Sequence, residues 1–153
     1  MSDIRDIWLL ANNILWSSRQ MINEKLKPLQ LSSAEGNILL HLLTQQEPFP
    51  QEKIVAQLDI SKPAVSRALK SLEKKGYVKR EKDPVDKRAC WISLTNQARN
   101  IAPEVEQIYN QVFSIASQGV SEAEIDDFVK LFARVSENFS KLRKNKYNPR
   151  RGT

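Results

Sequence analysis

Residues 51–95 read QEKIVAQLDISKPAVSRALKSLEKKGYVKREKDPVDKRACWISLT, and this stretch decides the fold. Gln51 to Leu58 has Ile54, Val55 and Leu58 at helical spacing, which predicts a short amphipathic helix. Asp59-Ile60-Ser61 is a tight link, and Ser61 is a good N-cap with Pro63 in the first turn that follows. The next helix runs to about Lys75 and stops at Gly76, a residue suited to a helix C-terminus. Val65, Ala68, Leu69 and Leu72 fall on its inner side. Lys62, Pro63, Ser66, Arg67, Lys70 and Lys74 fall on its outer side. Two helices joined by a three-residue turn, the second basic on its free face, form a helix-turn-helix pattern. Tyr77–Lys82 and Ala89–Leu94 then read as two strands, with Cys90, Ile92 and Leu94 on one face by period two. Asp83 to Arg88 is a turn-rich hairpin tip between them.

The flanks of this stretch are helical. Ile4, Ile7, Trp8, Ala11, Leu15, Ser18, Ile22 and Leu26 draw one apolar stripe along a long first helix, which Ser2 or Asp3 can cap and Pro28 helps to end. Ser32-Ser33-Ala34-Glu35 is a capping box that opens a second helix, with Ala34, Ile38, Leu39, Leu42 and Leu43 on its apolar side. Pro48-Phe49-Pro50 reads as a chain break. After the hairpin, Thr95 caps a helix through Ser117, in which Pro103 predicts a kink or a later start. Ser121 and Glu124 form another capping box. Ile125, Phe128, Phe132, Val135, Phe139 and Leu142 follow at alternating steps of three and four, a heptad seam. The expected architecture is mostly α with a small β-hairpin wing, in the order four helices, two strands, two helices. Its parts are a first helix over 1–30, a helix-turn-helix lobe over 31–95, helices over 96–143 and a frayed basic tail over 144–153.

Length and charge bound the function. A chain of 153 residues is one compact unit by default and can bury a sizeable core without disulfides. One cysteine excludes an internal disulfide framework, and one histidine with one cysteine leaves little for a metal site. There is no membrane-length apolar run and no apolar signal core, so the expected location is the cytoplasm. The net charge is +6, and residues 51–99 carry all of it, with twelve basic and six acidic side chains. Residues 100–140 hold two basic and seven acidic side chains, while 141–153 hold six basic and none acidic. A localised positive patch fits a polyanion binder, or equally a solvated basic face. No nucleophile–base pair, phosphate-cradling glycine loop or metal motif is present, so an enzyme is not expected and no cofactor is implied.

On a helix-turn-helix, the slim N-terminal end of the second helix enters the major groove. Ser61, Lys62, Pro63, Ser66 and Arg67 suit that end, with Arg67 able to pair bidentately with a guanine edge. Lys70 and Lys74 are placed for phosphates. At the hairpin tip, Lys87 and Arg88 project, and an arginine there suits a narrow minor groove. Asp86 is expected to hold the Arg88 guanidinium in place.

Several motifs carry a family resemblance. They are Leu58-Asp59-Ile60-Ser61, Val65-Ser66-Arg67, Leu72-Glu73-Lys74-Lys75-Gly76-Tyr77-Val78, Asp83-Pro84-Val85-Asp86-Lys87-Arg88-Ala89 and Leu94-Thr95. Together they resemble the MarR family of bacterial and archaeal winged-helix regulators, in motif from Leu31 to Thr95 and in helix order over nearly the whole chain. Three positions depart from that pattern: Asp59 and Ala98 stand where the family often has glycine, and Pro103 is unusual. The resemblance implies a homodimer held by the first and last two helices, here through Ile4, Ile7, Trp8, Ala11, Phe128, Phe132, Val135, Phe139 and Leu142. It implies a minor-groove contact for Arg88. The expected function is a homodimeric transcriptional repressor of a near-palindromic duplex DNA operator, released by a small ligand. The alternative is a winged-helix module docking on an acidic protein partner. Some family members bind small aromatic or acidic ligands, and Trp16, Arg19 and His41 are candidate ligand residues; Trp16 and Arg19 serve the dimer interface in the alternative reading. Cys90 reads as a small core residue rather than a redox switch.

Overall fold

The computed structural model describes residues 1–58 and 60–146, with side chains described up to 143. The Asp59 position and the basic tail expected over 144–153 thus lie outside the described side chains. Six α-helices and three short strands follow in order: α1 (Ile4–Leu26), α2 (Ser33–Leu43), β1 (Phe49–Pro50), α3 (Gln51–Leu58), α4 (Lys62–Lys74), β2 (Val78–Lys82), β3 (Cys90–Leu94), α5 (Asn96–Ala116) and α6 (Glu122–Lys146). The chain divides into two compact units, residues 1–113 and the residues from 114 onward. This is a winged helix-turn-helix fold with a three-stranded antiparallel wing sheet in the order β1-β3-β2.

Local chemistry sets most helix ends. Asp3 caps α1 and Asp6 reaches back to it, a capping box built from aspartates. Ser32 and Glu35 make the same exchange at the start of α2. The Ser61 hydroxyl accepts the Ala64 N–H at 3.3 Å, and the Thr95 hydroxyl accepts the Ala98 N–H at 3.2 Å. Gly76, at φ +83°, lets α4 turn out of the helix. Its N–H donates to the Glu73 carbonyl, and the Tyr77 N–H donates to the Leu72 carbonyl, which together satisfy two free helix-end carbonyls.

The core lies in the first unit. Leu26, Ile38, Leu42, Ile54, Val65, Leu69, Leu72, Ile92 and Val105 are its largest fully buried side chains. The predicted inner side of α4, Val65, Ala68, Leu69 and Leu72, is buried throughout. Gly36 sits where α1, α2 and α5 meet: a Cβ there would lie 2.8 Å from both the Leu26 Cδ1 and the Tyr109 hydroxyl. The Tyr109 hydroxyl bonds to Asn37 and the Ser33 carbonyl, and burial pushes its ionisation well above the ordinary tyrosine range.

One expectation changes, and two are made specific. The Pro48-Phe49-Pro50 segment does not merely break the chain, because Phe49 and Pro50 pair with Ile92 and Trp91 as an edge strand. Two residues are too few to show alternation, and an edge is where a proline is tolerated in a sheet. Of the two readings for Pro103, the later start fails: α5 is helical from Asn96 after the Thr95 cap, with Pro103 exposed inside it. The α1 stripe is buried in the single chain only at its C-terminal end, which leaves the residues assigned to a dimer interface uncovered. Ile22 and Leu26 are in the core, while Ile4, Trp8, Leu9, Leu10, Ile14, Leu15 and Trp16 are exposed. In the second unit, no described side chain of α6 is buried.

Candidate nucleic-acid interface

α4 presents its outer face to solvent as the spacing predicts. Ser61, Lys62, Pro63, Ser66, Arg67, Lys70 and Lys74 are all exposed. Glu35 and Glu73 pair with cations other than those of the outer face. The buried Glu35 carboxylate takes the Lys75 ammonium at 2.9 Å and the Ser71 hydroxyl at 3.2 Å. Lys75 also donates to the Gln30 carbonyl at 2.6 Å. Glu73 takes the Arg80 guanidinium at 3.2 Å. Lys75 and Arg80 therefore hold α4 against α2 and β2. Lys62, Arg67, Lys70 and Lys74 form no ion pair among the described residues. Glu35 reads as a cap in the sequence; nothing local signals that Lys75, 40 positions away, would meet it.

The wing tip is braced from within. One Asp83 carboxylate oxygen accepts the N–H groups of Val85 and Asp86 at 2.8 and 3.1 Å. The other accepts the Trp91 indole N–H at 3.0 Å. The Asp83 N–H donates to the Ala89 carbonyl, and the Ala89 N–H to the Asp86 carbonyl. Asp86 does not hold the Arg88 guanidinium. Its carboxylate accepts the Arg88 backbone N–H at 3.0 Å, because a short aspartate side chain caps its own turn two residues on. Lys87 and Arg88 are exposed and enter no ion pair among the described residues. The sequence reading missed Asp83 and Trp91 as wing-shaping residues; the adjacent Pro84 was the available turn signal.

The indole bond to Trp91, followed by the two backbone bonds, holds the Asp83 carboxyl below the ordinary aspartate value of 3.8. A carboxyl lowered by folding contributes stability above its unfolded value, and that contribution is lost as pH falls through the folded value. The Trp91 indole N–H signal in NMR should therefore stay protected from exchange down to pH 3.8 and lose protection below it. Asp83→Asn should remove that acid transition. A transition that persists in Asp83→Asn would assign it to another group.

A groove of about 500 Å³ separates α3 and the N-terminus of α4 from the wing. Lys62, Arg80, Lys82, Lys87 and Arg88 line it against Glu52 and Asp86, so its walls are net positive. Cys90 lies in the same groove, half-buried and packed on the core.

The candidate ligand residues sit in two places. Trp16 and Arg19 line a shallow groove on α1 with Asn12, Asn13 and Leu15. His41 is elsewhere: its Nε2 lies 2.7 Å from the Gln57 side-chain oxygen, and its ring meets Phe49 edge-on.

Comparison with known proteins matches this architecture. Residues 35–90 fit the model of the MarR family. A MarR transcriptional regulator from Methanosarcina mazei Go1 superposes with a TM-score of 0.81 at 21% identity, over 93% of this chain and 94% of that one. The transcriptional regulator SlyA superposes at 0.79 with 26% identity, over 89% and 95%. A putative MarR family regulator from Listeria monocytogenes, complexed with 26mer DNA, superposes at 0.77 with 27% identity, over 99% and 100%. The helix order, the three-stranded wing and the matched segment agree: residues 35–90 match the MarR family, and the chain has the fold of the MarR-family regulators it resembles.

Proposed function

We propose that the chain acts as a homodimeric repressor that binds a near-palindromic duplex operator and is released by a small aromatic or acidic ligand. The observation that carries DNA binding is two cationic elements on one lobe whose outer cations form no ion pair among the described residues. The outer face of α4 supplies Ser61, Lys62, Pro63, Ser66, Arg67, Lys70 and Lys74, and the wing supplies Lys87 and Arg88 with Asp86 shaping its turn. The Listeria relative complexed with 26mer DNA supports the same reading. Arg67 reads a base edge in the major groove, Arg88 enters the minor groove, and the lysines neutralise phosphates. Two such lobes sit about one helical turn apart, ~10 bp.

The exposed seam of α6 supports the dimer. Phe128, Phe132, Phe139 and Leu142 are 39–61% exposed, which is costly for a helix unless a second copy covers them. Ile4, Ile7, Trp8 and Ala11 on α1, with Val135 on α6, belong to the same proposed interface. Trp16, Arg19 and His41 are proposed as ligand residues, with Trp16 and Arg19 sharing one groove on α1. The proposed organisation is a dimerising helix over 1–30, a DNA-binding lobe over 31–95, dimerising helices over 96–143 and a basic tail, in the cytoplasm.

Selection of bound duplexes from a random pool tests the reading. The expected result is an enriched inverted repeat with half-sites about 10 bp apart. Affinity should fall linearly on a log–log salt plot, with a slope near 0.9 per neutralised phosphate. Arg67→Ala should cost ~1–3 kcal/mol and flatten the preference at one position per half-site. An unenriched pool, or binding insensitive to salt, would sink the proposal.

A further inference from the structure

The DNA-binding lobe buries or half-buries its described large apolar side chains with one exception. Among the described residues between 17 and 112, Val85 is the one large apolar side chain that stands exposed, at 94%. It occupies the apex of the wing, between Pro84 and Asp86. The other exposed large apolar residues fall on α1, the C-terminal end of α5, the turn after it and α6, apart from Met1. Val85 is not loose. Asp83 holds its N–H at 2.8 Å, and the same carboxylate is fixed by the Trp91 indole and the Asp86 N–H. A β-branched side chain has few rotamers, so little freedom is lost when such a tip docks. Lys82, Lys87 and Arg88 are exposed on the same wing, while Asp83 and Asp86 flank Val85 in the turn.

We propose that Val85 is an apolar contact residue for the DNA minor groove, packing on the sugar and base walls beside the Arg88 guanidinium. The inference rests on the DNA-binding reading above and adds a contact of a different kind to it. The exposed Lys82, Lys87 and Arg88 of the wing favour a polyanion, and of polyanions a duplex groove offers apolar sugar walls between phosphate rows. Minor-groove proteins are known to bring apolar side chains into that groove, often as wedges between base steps. A guanine N2 amino group projects from the groove floor, whereas an A·T pair leaves the floor free. Val85 therefore favours A·T or inosine–cytosine pairs under the wing and disfavours G·C.

The test uses the full chain and the duplex obtained by selection, with affinities measured by fluorescence anisotropy across a salt range. Val85→Ser should weaken binding about five- to tenfold, the loss expected for one partly buried valine. The salt slope should not change, since no phosphate contact is removed. Arg88→Ala is the contrast, and its slope should fall by about one. Val85→Ile should retain native affinity. Placing G·C under the wing should weaken the native protein more than Val85→Ser, while inosine–cytosine should weaken neither. Equal affinity of Val85→Ser and the native protein, with salt-dependent binding intact, overturns this inference and leaves DNA binding standing. A Val85→Ser loss that comes with a shallower slope also overturns it, because the wing would then have moved off its phosphates. Absence of any duplex binding by the native protein overturns both.

Discussion

Replacing Phe132 with Asp should turn the protein into a 17.6 kDa monomer that no longer holds its operator. Phe132 is stacked on Phe128, with ring centroids 5.1 Å apart and planes inclined by 19°. Both rings are exposed in the single chain, at 39% and 55%. In the proposed dimer each occurs twice, so one substitution removes two aromatic contacts and places two carboxylates in an apolar seam. Burial of a Phe side chain stabilises by ~2–3 kcal/mol, and the unpaired carboxylates add to the loss. A total of ~5 kcal/mol or more per dimer corresponds to a dissociation constant raised at least a thousandfold. Sedimentation velocity checks the mass, and anisotropy checks operator binding. Because the ring is not in the core of the chain, the thermal unfolding of the first unit should remain cooperative. A Phe132→Asp protein that stays dimeric would place the interface elsewhere.

Glu35→Ala should be the most damaging single polar substitution in the lobe, at about 2–3 kcal/mol. Glu35 is 6% exposed and does three things at once. It completes the capping box with Ser32, holds the Lys75 ammonium and accepts the Ser71 hydroxyl. Loss of the cap costs ~1 kcal/mol, and loss of a charge-assisted bond ~1.5–3 kcal/mol. Lys75 is about one-third exposed, at 31%, so water recovers part of its solvation and the cost falls short of a fully buried pair. Urea unfolding should show a lower midpoint with an unchanged m-value. Glu35→Leu combined with Lys75→Met should recover most of the loss, since no orphan charge is left behind. A cost of ~0.5 kcal/mol or less for Glu35→Ala would show that the pair does not hold α4.

Much of the lobe was legible because its signals are local. Ser61, Pro63 and Gly76 mark both ends of α4, and the spacing of Val65, Ala68, Leu69 and Leu72 assigns its buried side. The outer cations follow as the complement of that side. The wing was legible as a hairpin from its turn residues and the alternation of Cys90, Ile92 and Leu94. Its third strand was not, because Phe49 and Pro50 gain strand geometry only by pairing with β3, more than forty residues away. The role given to Asp86 failed for a similar reason. Charge proximity suggested a bond to a guanidinium, while the turn geometry offered the backbone N–H of Arg88 first.

The sequence by itself determined the helix boundaries, the inner and outer faces of α4 and the concentration of positive charge in residues 51–99. These follow from caps, periodicity and composition, which act over a few residues. Only the tertiary structure decided which charges remain available. Glu35 and Glu73 could have neutralised any neighbouring cation, and the packing of α2, α4 and β2 commits them to Lys75 and Arg80. It also decided that Val85 stands alone at the wing apex, because burial is a property of the packed lobe and not of the side chain. An ion pair between elements depends on a distance the chain acquires only when its core closes, and no local pattern encodes that distance.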